Sequence, residues 1–156
     1  MKIENFTGDI RESKSPLIVQ QVNCQGAMNS GLAKNIRDKW PIVYDKYYQF
    51  VRTRTIKSAL LGEYQFVDVS ETQKVVNVFG QLYYGYDGKK YTSYDAIDSA
   101  FKKLAIYVST NNIHSIAIPY NFGSGRGGAD WNVVKEIIVS AFKDTYVTIE
   151  IWEYNP

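Results

Sequence analysis

The chain has 156 residues, and Lys plus Arg outnumber Asp plus Glu only 18 to 16, which gives a formal net charge of +2. This length suits one domain with a substantial core, and the near-neutral balance excludes the broad cationic face that duplex nucleic acid selects. A single cysteine excludes an internal disulfide, and a single histidine excludes a histidine-rich metal site, so we expect no metal. We expect no cofactor either.

The N-terminal residues MKIENF lack the apolar segment and small-residue cleavage site of a signal peptide. No run in the chain approaches the roughly 18 apolar residues of a membrane span. We therefore expect a cytoplasmic protein without membrane contact. Neither a repeat nor a long linker is present, which predicts one domain over residues 1–156.

The first half of the chain begins its regular structure with a buried strand. Residues 17–22 are mostly apolar and β-branched, and a helix follows over residues 31–40, with apolar side chains at i, i+4 and i+8. Pro41 stops that helix, and a second, short helix is predicted over residues 43–50.

The second half alternates strands and helices after a predicted hairpin. In chain order we predict strands over residues 60–69 and 74–81, a loop over 84–90, a helix capped by Ser93 that ends near residue 110, a strand over 115–119, a helix over 130–142 and a strand over 146–152. These elements predict an α/β sandwich, parallel where strands alternate with helices and antiparallel at the hairpin.

Two buried strands run into glycine-containing turns that open helices, one at Ser30-Gly31 and one over residues 123–128. Such a turn presents backbone N–H groups and the positive end of a helix dipole, which bind phosphate without a lysine. One such turn is weak evidence, because glycine is common where a strand leads into a helix. Two of them suggest a ligand with two adjacent phosphates.

The second turn also matches the spacing G-x-G-x-x-G of dinucleotide folds, and Glu150 follows about twenty residues later. That fingerprint usually occupies the first strand-helix turn, whereas here only one helix and one strand remain. A P-loop is disfavoured because neither turn contains Gly-Lys-Ser/Thr.

Four short motifs in this order resemble the macro domain family: Gly8-Asp9-Ile10, Val22-Asn23-Cys24-Gln25-Gly26, Ser30-Gly31-Leu32-Ala33, and Ile118-Pro119 followed by Gly123-Ser124-Gly125. The resemblance covers nearly the whole chain and is greatest to the branch with yeast-type ADP-ribose 1″-phosphate phosphatases, terminal ADP-ribose protein glycohydrolases and small phage-encoded macro domains. It implies a three-layer α/β/α sandwich with a mixed sheet of about six strands, and ADP-ribose or ADP-ribose 1″-phosphate as the ligand.

The resemblance also implies roles for individual residues. Asp9 would accept a hydrogen bond from the adenine amino group, residues 29–32 and 124–127 would each hold a phosphate, and Asn23 would contact the distal ribose. The implied binding set is Gly8, Asp9, Ile10, Asn23, Gln25, Asn29, Ser30, Gly31, Leu32, Pro119, Gly123, Ser124, Gly125, Arg126 and Gly127. The implied catalytic set is Asn23, Gln81 and Arg126, with Tyr83 and Tyr120 nearby.

The sequence departs from the family at catalytic positions. Gly26 stands where many macro-domain hydrolases have an asparagine, Gly127 where the glycohydrolases have an aspartate, and Gln81 near the place of their nucleophilic lysine. The lysine mechanism is therefore not expected here. Asp130 lies three residues beyond Gly127, and a helix N-cap explains it at least as well as catalysis.

With no clear general base, we expect a slow ADP-ribose 1″-phosphate phosphatase that works without metal, by binding and water positioning. A module that binds ADP-ribose or a related signalling nucleotide without turnover is the alternative. Removal of ADP-ribose from proteins is a third hypothesis. The sequence identifies no protein partner.

Overall fold

The computed structural model describes residues 1–154 and contains one six-stranded sheet. The strands are β1 (Lys2–Thr7), β2 (Leu17–Asn23), β3 (Tyr64–Asp68), β4 (Lys74–Gln81), β5 (Ser115–Pro119) and β6 (Thr148–Glu153). Their order is β1-β6-β5-β2-β4-β3, and every neighbouring pair is parallel except β3 with β4. The predicted mixed sheet and its antiparallel hairpin are therefore confirmed.

Helices cover both faces of the sheet, which confirms the three-layer α/β/α sandwich. They are α1 (Gly31–Lys39), α2 (Pro41–Arg52), α3 (Tyr94–Thr110) and α4 (Trp131–Phe142). The α3 and α4 side chains form one core with Leu17 and Val19 of β2, whereas α1 and α2 form a second core with Val22 and Phe79. Sequence periodicity explains this arrangement, because successive strand residues face opposite sides of the sheet.

The central strand β2 is buried on both faces, as expected for a parallel strand between helix layers. Ile18 and Val19 are fully buried, yet two polar residues, Gln20 and Gln21, follow them in the same strand. Since β2 is parallel to both β4 and β5, the carboxyl ends of all three strands meet at one edge. Both glycine turns leave the sheet at this edge.

Some predicted boundaries are wrong. The strand predicted over residues 60–69 begins only at Tyr64, because a 3-10 helix over Lys57–Leu60 buries Leu60 and Gly62 turns the chain at φ +88°. The second helix is longer than predicted, since Pro41 occupies its first turn, where proline is favoured. The last strand starts at Thr148, two residues later than predicted.

No helix within residues 1–154 has the length and apolar character needed to cross a bilayer. The cytoplasmic location stays a prediction.

Candidate functional site

A cleft of about 350 Å³ lies at the carboxyl edge of the sheet, between the two glycine turns. This volume falls within the range of small-molecule sites. The cleft is lined by residues 20–23, 27–33, 81, 84–86, 119–123 and 125–127. Because β2 pairs directly with β5, the glycine turns that follow these two strands lie close together.

The first turn presents an uncapped helix end to the cleft. Ser30 is the N-cap of α1, but its side chain makes no capping hydrogen bond and the first turn contains no acidic residue. Among residues 1–154, nothing accepts from the backbone N–H groups of Gly31, Leu32 and Ala33. These donors and the positive end of the helix dipole together favour an anion.

The second turn presents a further set of donors. Its backbone is closed by hydrogen bonds from Ser124 N–H to the Asn121 carbonyl (2.8 Å) and from Ala129 N–H to the Gly123 carbonyl (3.0 Å). Within the described chain, the N–H groups of residues 125–127 have no acceptor. Gly123 has φ +69°, a conformation in which a side chain would be strained.

Asn23 lines the cleft, but its side chain is committed to the loop that follows β2. Its Nδ2 donates to the Ala27 carbonyl (2.9 Å), and its Oδ1 accepts from Gln25 N–H (2.9 Å). The Tyr47 hydroxyl lies 2.6 Å from the Asn23 backbone carbonyl and 2.9 Å from Oδ1. Asn23 therefore caps the end of β2 in the structure, and its contact with a distal ribose stays a prediction. Cys24, the next residue, is fully buried, and burial raises the pKa of its thiol to about 11, so it is no nucleophile at neutral pH.

Gln81 lines the cleft at the end of β4, and its amide is also engaged. Its Nε2 donates to the Tyr83 carbonyl (2.8 Å), while its Oε1 accepts from Gln21 Nε2 (2.7 Å). An amide held in this way can orient a ligand or a water molecule but does not act as a nucleophile.

Five residues of the predicted set do not line the cleft: Gly8, Asp9, Ile10, Gln25 and Ser124. Ile10 belongs to a small buried cluster with Ile18 and Ala117, and Leu32, which lines the cleft, packs against that cluster. The Asp9 carboxylate accepts from Arg11 through its Nε (3.0 Å), its Nη2 (2.6 Å) and its backbone N–H (2.9 Å). These bonds hold the pKa of Asp9 below its usual value. The Gln25 Nε2 donates to the Leu82 carbonyl (3.0 Å).

The other ten predicted binding residues all line this cleft: Asn23, Asn29, Ser30, Gly31, Leu32, Pro119, Gly123, Gly125, Arg126 and Gly127. The predictions missed several others: Gln20, Gln21, Met28, Tyr84, Tyr86, Asn121 and Phe122. Two consecutive glutamines in an otherwise apolar buried strand were the signal that could have indicated the first two.

One rim of the cleft is aromatic. Tyr84, Tyr86 and Tyr120 line it and are 47%, 60% and 39% exposed. The Arg126 guanidinium lies 4.2 Å from the centroid of the Tyr86 ring, a cation–π contact. Apart from Arg126 and these tyrosines, the described residues that line the cleft carry no ionisable side chain. The lining therefore offers hydrogen-bond donors and stacking surfaces but no carboxylate or imidazole base.

A family model described as the macro domain matches residues 19–138, well over half of the chain. The chain therefore belongs to the macro domain family, and the predicted family is confirmed. The sheet order β1-β6-β5-β2-β4-β3 also differs from that of the dinucleotide fold, which removes the rival interpretation of the second turn.

Curated relatives share this domain at low identity. A Mycobacterium tuberculosis protein named DNA ADP-ribosyl glycohydrolase is 26% identical over 140 residues, which cover 88% of this chain and 38% of that protein. A Thermus aquaticus protein with the same name is 22% identical over 149 residues, or 96% of this chain and 40% of that protein. The chain thus spans about two fifths of the length of these relatives.

Solved structures match the whole fold. The macrodomain of Mycobacterium tuberculosis DarG superimposes with a TM-score of 0.82 at 25% identity, covering 99% of this chain and 97% of that one. Thermosipho africanus DarTG, solved in complex with ADP-ribose, gives a TM-score of 0.80 at 18% identity, covering 98% of this chain and 42% of that one. The particular branch of the family to which the chain belongs stays a prediction.

Proposed function

We propose that the cleft binds ADP-ribose, with the diphosphate between the two glycine turns. The proposal rests on two groups of backbone N–H donors, at residues 31–33 and 125–127, that lie on the same cleft and have no acceptor in the described chain. Neutral backbone donors bind phosphate locally, which suits a chain with a net charge of only +2. Membership of the macro domain family and the ADP-ribose complex of the Thermosipho africanus protein support the choice of ligand.

This position of the diphosphate also sets where the adenine and the distal ribose of the ligand would lie. The adenine end lies on the side of α1, where Leu32 packs against the buried cluster that contains Ile10, and Asp9 would accept from the adenine amino group there. The distal ribose lies toward Asn23, Gln81 and Arg126, which all line the cleft. This assignment of ends rests on the resemblance to the family.

A Gly125→Glu substitution tests the binding proposal. Gly125 is exposed, its φ is not in the positive range, and an added Cβ meets no atom within 4 Å, so the fold tolerates a side chain there. The new carboxylate would enter the cleft beside the diphosphate, and like charges at such a distance cost several kcal/mol. We expect calorimetry to show roughly a 100-fold loss of ADP-ribose affinity, since each tenfold change corresponds to about 1.4 kcal/mol.

Gly125→Ala is the matched control, because it adds a Cβ without charge and should bind within a few-fold of the wild type. An unchanged melting temperature of Gly125→Glu would show that the fold is intact. Absence of wild-type binding at millimolar ADP-ribose would reject the proposal.

Binding without turnover is the activity that the geometry supports best. The lining offers no general base, and the amides of Asn23 and Gln81 already hold neighbouring backbone.

As the enzymatic alternative we propose slow hydrolysis of ADP-ribose 1″-phosphate, with Asn23 and Gln81 orienting a water molecule and Arg126 opposing developing charge. Phosphate release above that of Gly125→Glu would establish it, whereas tight binding with intact substrate would leave a binding module.

Removal of ADP-ribose from a macromolecule is a second candidate. The named activity of the curated relatives and the exposed tyrosines beside Arg126 favour it, because aromatic rings and guanidinium groups stack on nucleic-acid bases. ADP-ribosylated single-stranded DNA and ADP-ribosylated protein would be incubated in parallel and followed by mass spectrometry. Loss of the ADP-ribose mass from either substrate, absent in Gly125→Glu, would identify the acceptor; no loss from both would reject this candidate.

A further inference from the structure

A polar cluster of three side chains, Gln21, Gln81 and Thr92, lies beneath the second glycine turn. Gln21 Nε2 donates to Gln81 Oε1 (2.7 Å) and to Thr92 Oγ1 (2.8 Å). Thr92 Oγ1 donates in turn to the carbonyl of Gly123 (2.8 Å). The cluster therefore links β2 and β4 directly to the turn.

The direction of each hydrogen bond in the cluster is fixed. A threonine hydroxyl has one proton, and that of Thr92 is used on the Gly123 carbonyl, so its oxygen accepts from Gln21. The Gln81 amide is oriented by its own donation to the Tyr83 carbonyl, which leaves its oxygen to accept from Gln21. Both protons of the Gln21 amide are thereby assigned.

The backbone before α3 holds the other end of the turn. The N–H groups of Tyr91 and Thr92 both donate to the Gly127 carbonyl, at 2.8 and 2.9 Å. Thr92 thus fixes Gly123 through its side chain and Gly127 through its backbone. The segment between these two anchor points carries the unpaired N–H groups of residues 125–127.

The cluster also leaves little room for a side chain at two glycines of the turn. An added Cβ at Gly123 would lie 3.0 Å from Gln21 Oε1 and 3.1 Å from Thr92 Oγ1, and one at Gly127 would overlap Thr92 Oγ1. Gly127 does not have a positive φ, and a side chain there is excluded by the close approach of both Thr92 Oγ1 and the Gly123 carbonyl oxygen. Gly80 is excluded from having a side chain by Gln21 Oε1 in the same way.

Gln21 also carries a buried polar atom without a partner in the described chain. Its Oε1 is buried and has no donor among residues 1–154, and a buried polar atom without a partner destabilises a fold. An apolar side chain of similar shape would avoid this penalty. What Gln21 contributes to the structure is the pair of hydrogen bonds that its amide nitrogen donates.

We propose that Gln21 and Thr92 are positioning residues of the phosphate site. They hold Gly123 and Gly127 against the sheet edge, so that residues 125–127 keep their N–H groups available to the ligand. This inference rests on the proposed binding of ADP-ribose. Neither side chain needs to touch the ligand.

The experiment is calorimetric titration of the full chain with ADP-ribose and with ADP. Thr92→Val removes the hydroxyl at nearly constant shape and should weaken both ligands about tenfold, whereas Thr92→Ser keeps the hydroxyl and should restore affinity. The control is Thr145→Val at the opposite edge of the sheet, where Thr145 Oγ1 donates to the Phe142 carbonyl at 2.7 Å. It loses the same kind of bond and should keep wild-type affinity.

Gln21→Met separates positioning from stability. This variant removes the unpaired oxygen together with the two donated bonds, so its melting temperature should stay near that of the wild type while affinity for both ligands falls about tenfold. A side chain that merely supported the fold would lose stability and affinity together.

The outcomes distinguish the two proposals. If the wild type binds neither ligand, the proposed function fails and this inference fails with it. If the wild type binds but Thr92→Val and Gln21→Met bind equally well, only the inference is overturned. Equal weakening by Thr145→Val would also overturn it.

Discussion

Asp9 and Arg11 form an ion pair in the segment between β1 and β2. Two guanidinium nitrogens and one backbone N–H of Arg11 donate to the Asp9 carboxylate. The side chain of Arg11 is 27% exposed and that of Asp9 is 23% exposed. These contacts lower the pKa of Asp9. A carboxylate with a lowered folded-state pKa adds stability above its unfolded pKa and loses that contribution as the pH falls.

We therefore expect the free energy of unfolding of the wild type to fall from pH 5 to pH 3 more steeply than that of Arg11→Gln. The difference should be no more than about 1 kcal/mol, because the pair is partly exposed and screened. Urea denaturation at a series of pH values measures it. Arg11→Lys, which keeps the charge without the forked geometry, should give an intermediate slope; identical slopes for all three proteins would contradict the assignment.

At the same scale, ten of the fifteen binding residues predicted from the sequence line the cleft, but the sequence did not predict which contacts hold them in place. Backbone donors at Gly31 and Gly125 follow from local turn chemistry, so local sequence reveals them. The contact of Gln21 with Thr92 joins residues far apart in the chain, and only the folded sheet brings them together. Asn23 also could not be interpreted from sequence alone, because its amide partners depend on the loop geometry.

At the scale of the elements, Asp130 directly precedes α4, and the sequence left its role open between catalysis and helix capping. The Asp130 carboxylate accepts from Asn132 N–H at 2.9 Å, and Asp130 does not line the cleft. Replacing an aspartate N-cap by alanine typically costs about 1 kcal/mol of stability. We expect Asp130→Ala to lower the free energy of unfolding by about that amount and to leave ADP-ribose affinity unchanged.

Asp130→Ser supplies a capping hydroxyl without a carboxylate and should recover most of the lost stability. Denaturant unfolding and calorimetry on the same preparations separate the two roles. A fall in affinity or in turnover with Asp130→Ala, unrescued by serine, would restore the catalytic interpretation.

The boundaries of an element were predictable where the sequence contains a clear helix-capping residue or a clear helical spacing of apolar residues. Ser93 accepts from Ala96 N–H as predicted, and the buried stripe of α3 repeats at helical spacing through Ile97, Phe101 and Leu104. The boundary before β3 was not predictable in this way, because Leu60 continues an apolar run while its backbone is helical. Burial of one side chain overrode the local strand pattern there.

For the whole molecule, the sheet order decides where the site is. Sequence alone gives strands that lead into glycine turns, but it does not show that β2 pairs with β5. The family resemblance implied a mixed sheet of about six strands but no strand order, so only the folded sheet shows this pairing. The two helix layers have separate cores, and the cleft between the glycine turns joins segments that leave β2 and β5.

A ligand that binds both turns should therefore stabilise the whole fold. A ligand bound only by the folded state at 100 times its Kd adds about 2.7 kcal/mol of stability. For a chain of this size, about 1 kcal/mol moves the melting temperature by roughly 2–4 °C, so ADP-ribose should raise it by roughly 5–10 °C. Differential scanning calorimetry with increasing ADP-ribose measures the shift, and Gly125→Glu at the same concentrations should show little of it. A shift of equal size in both proteins would mean that the ligand binds outside the cleft, because only the cleft differs between them.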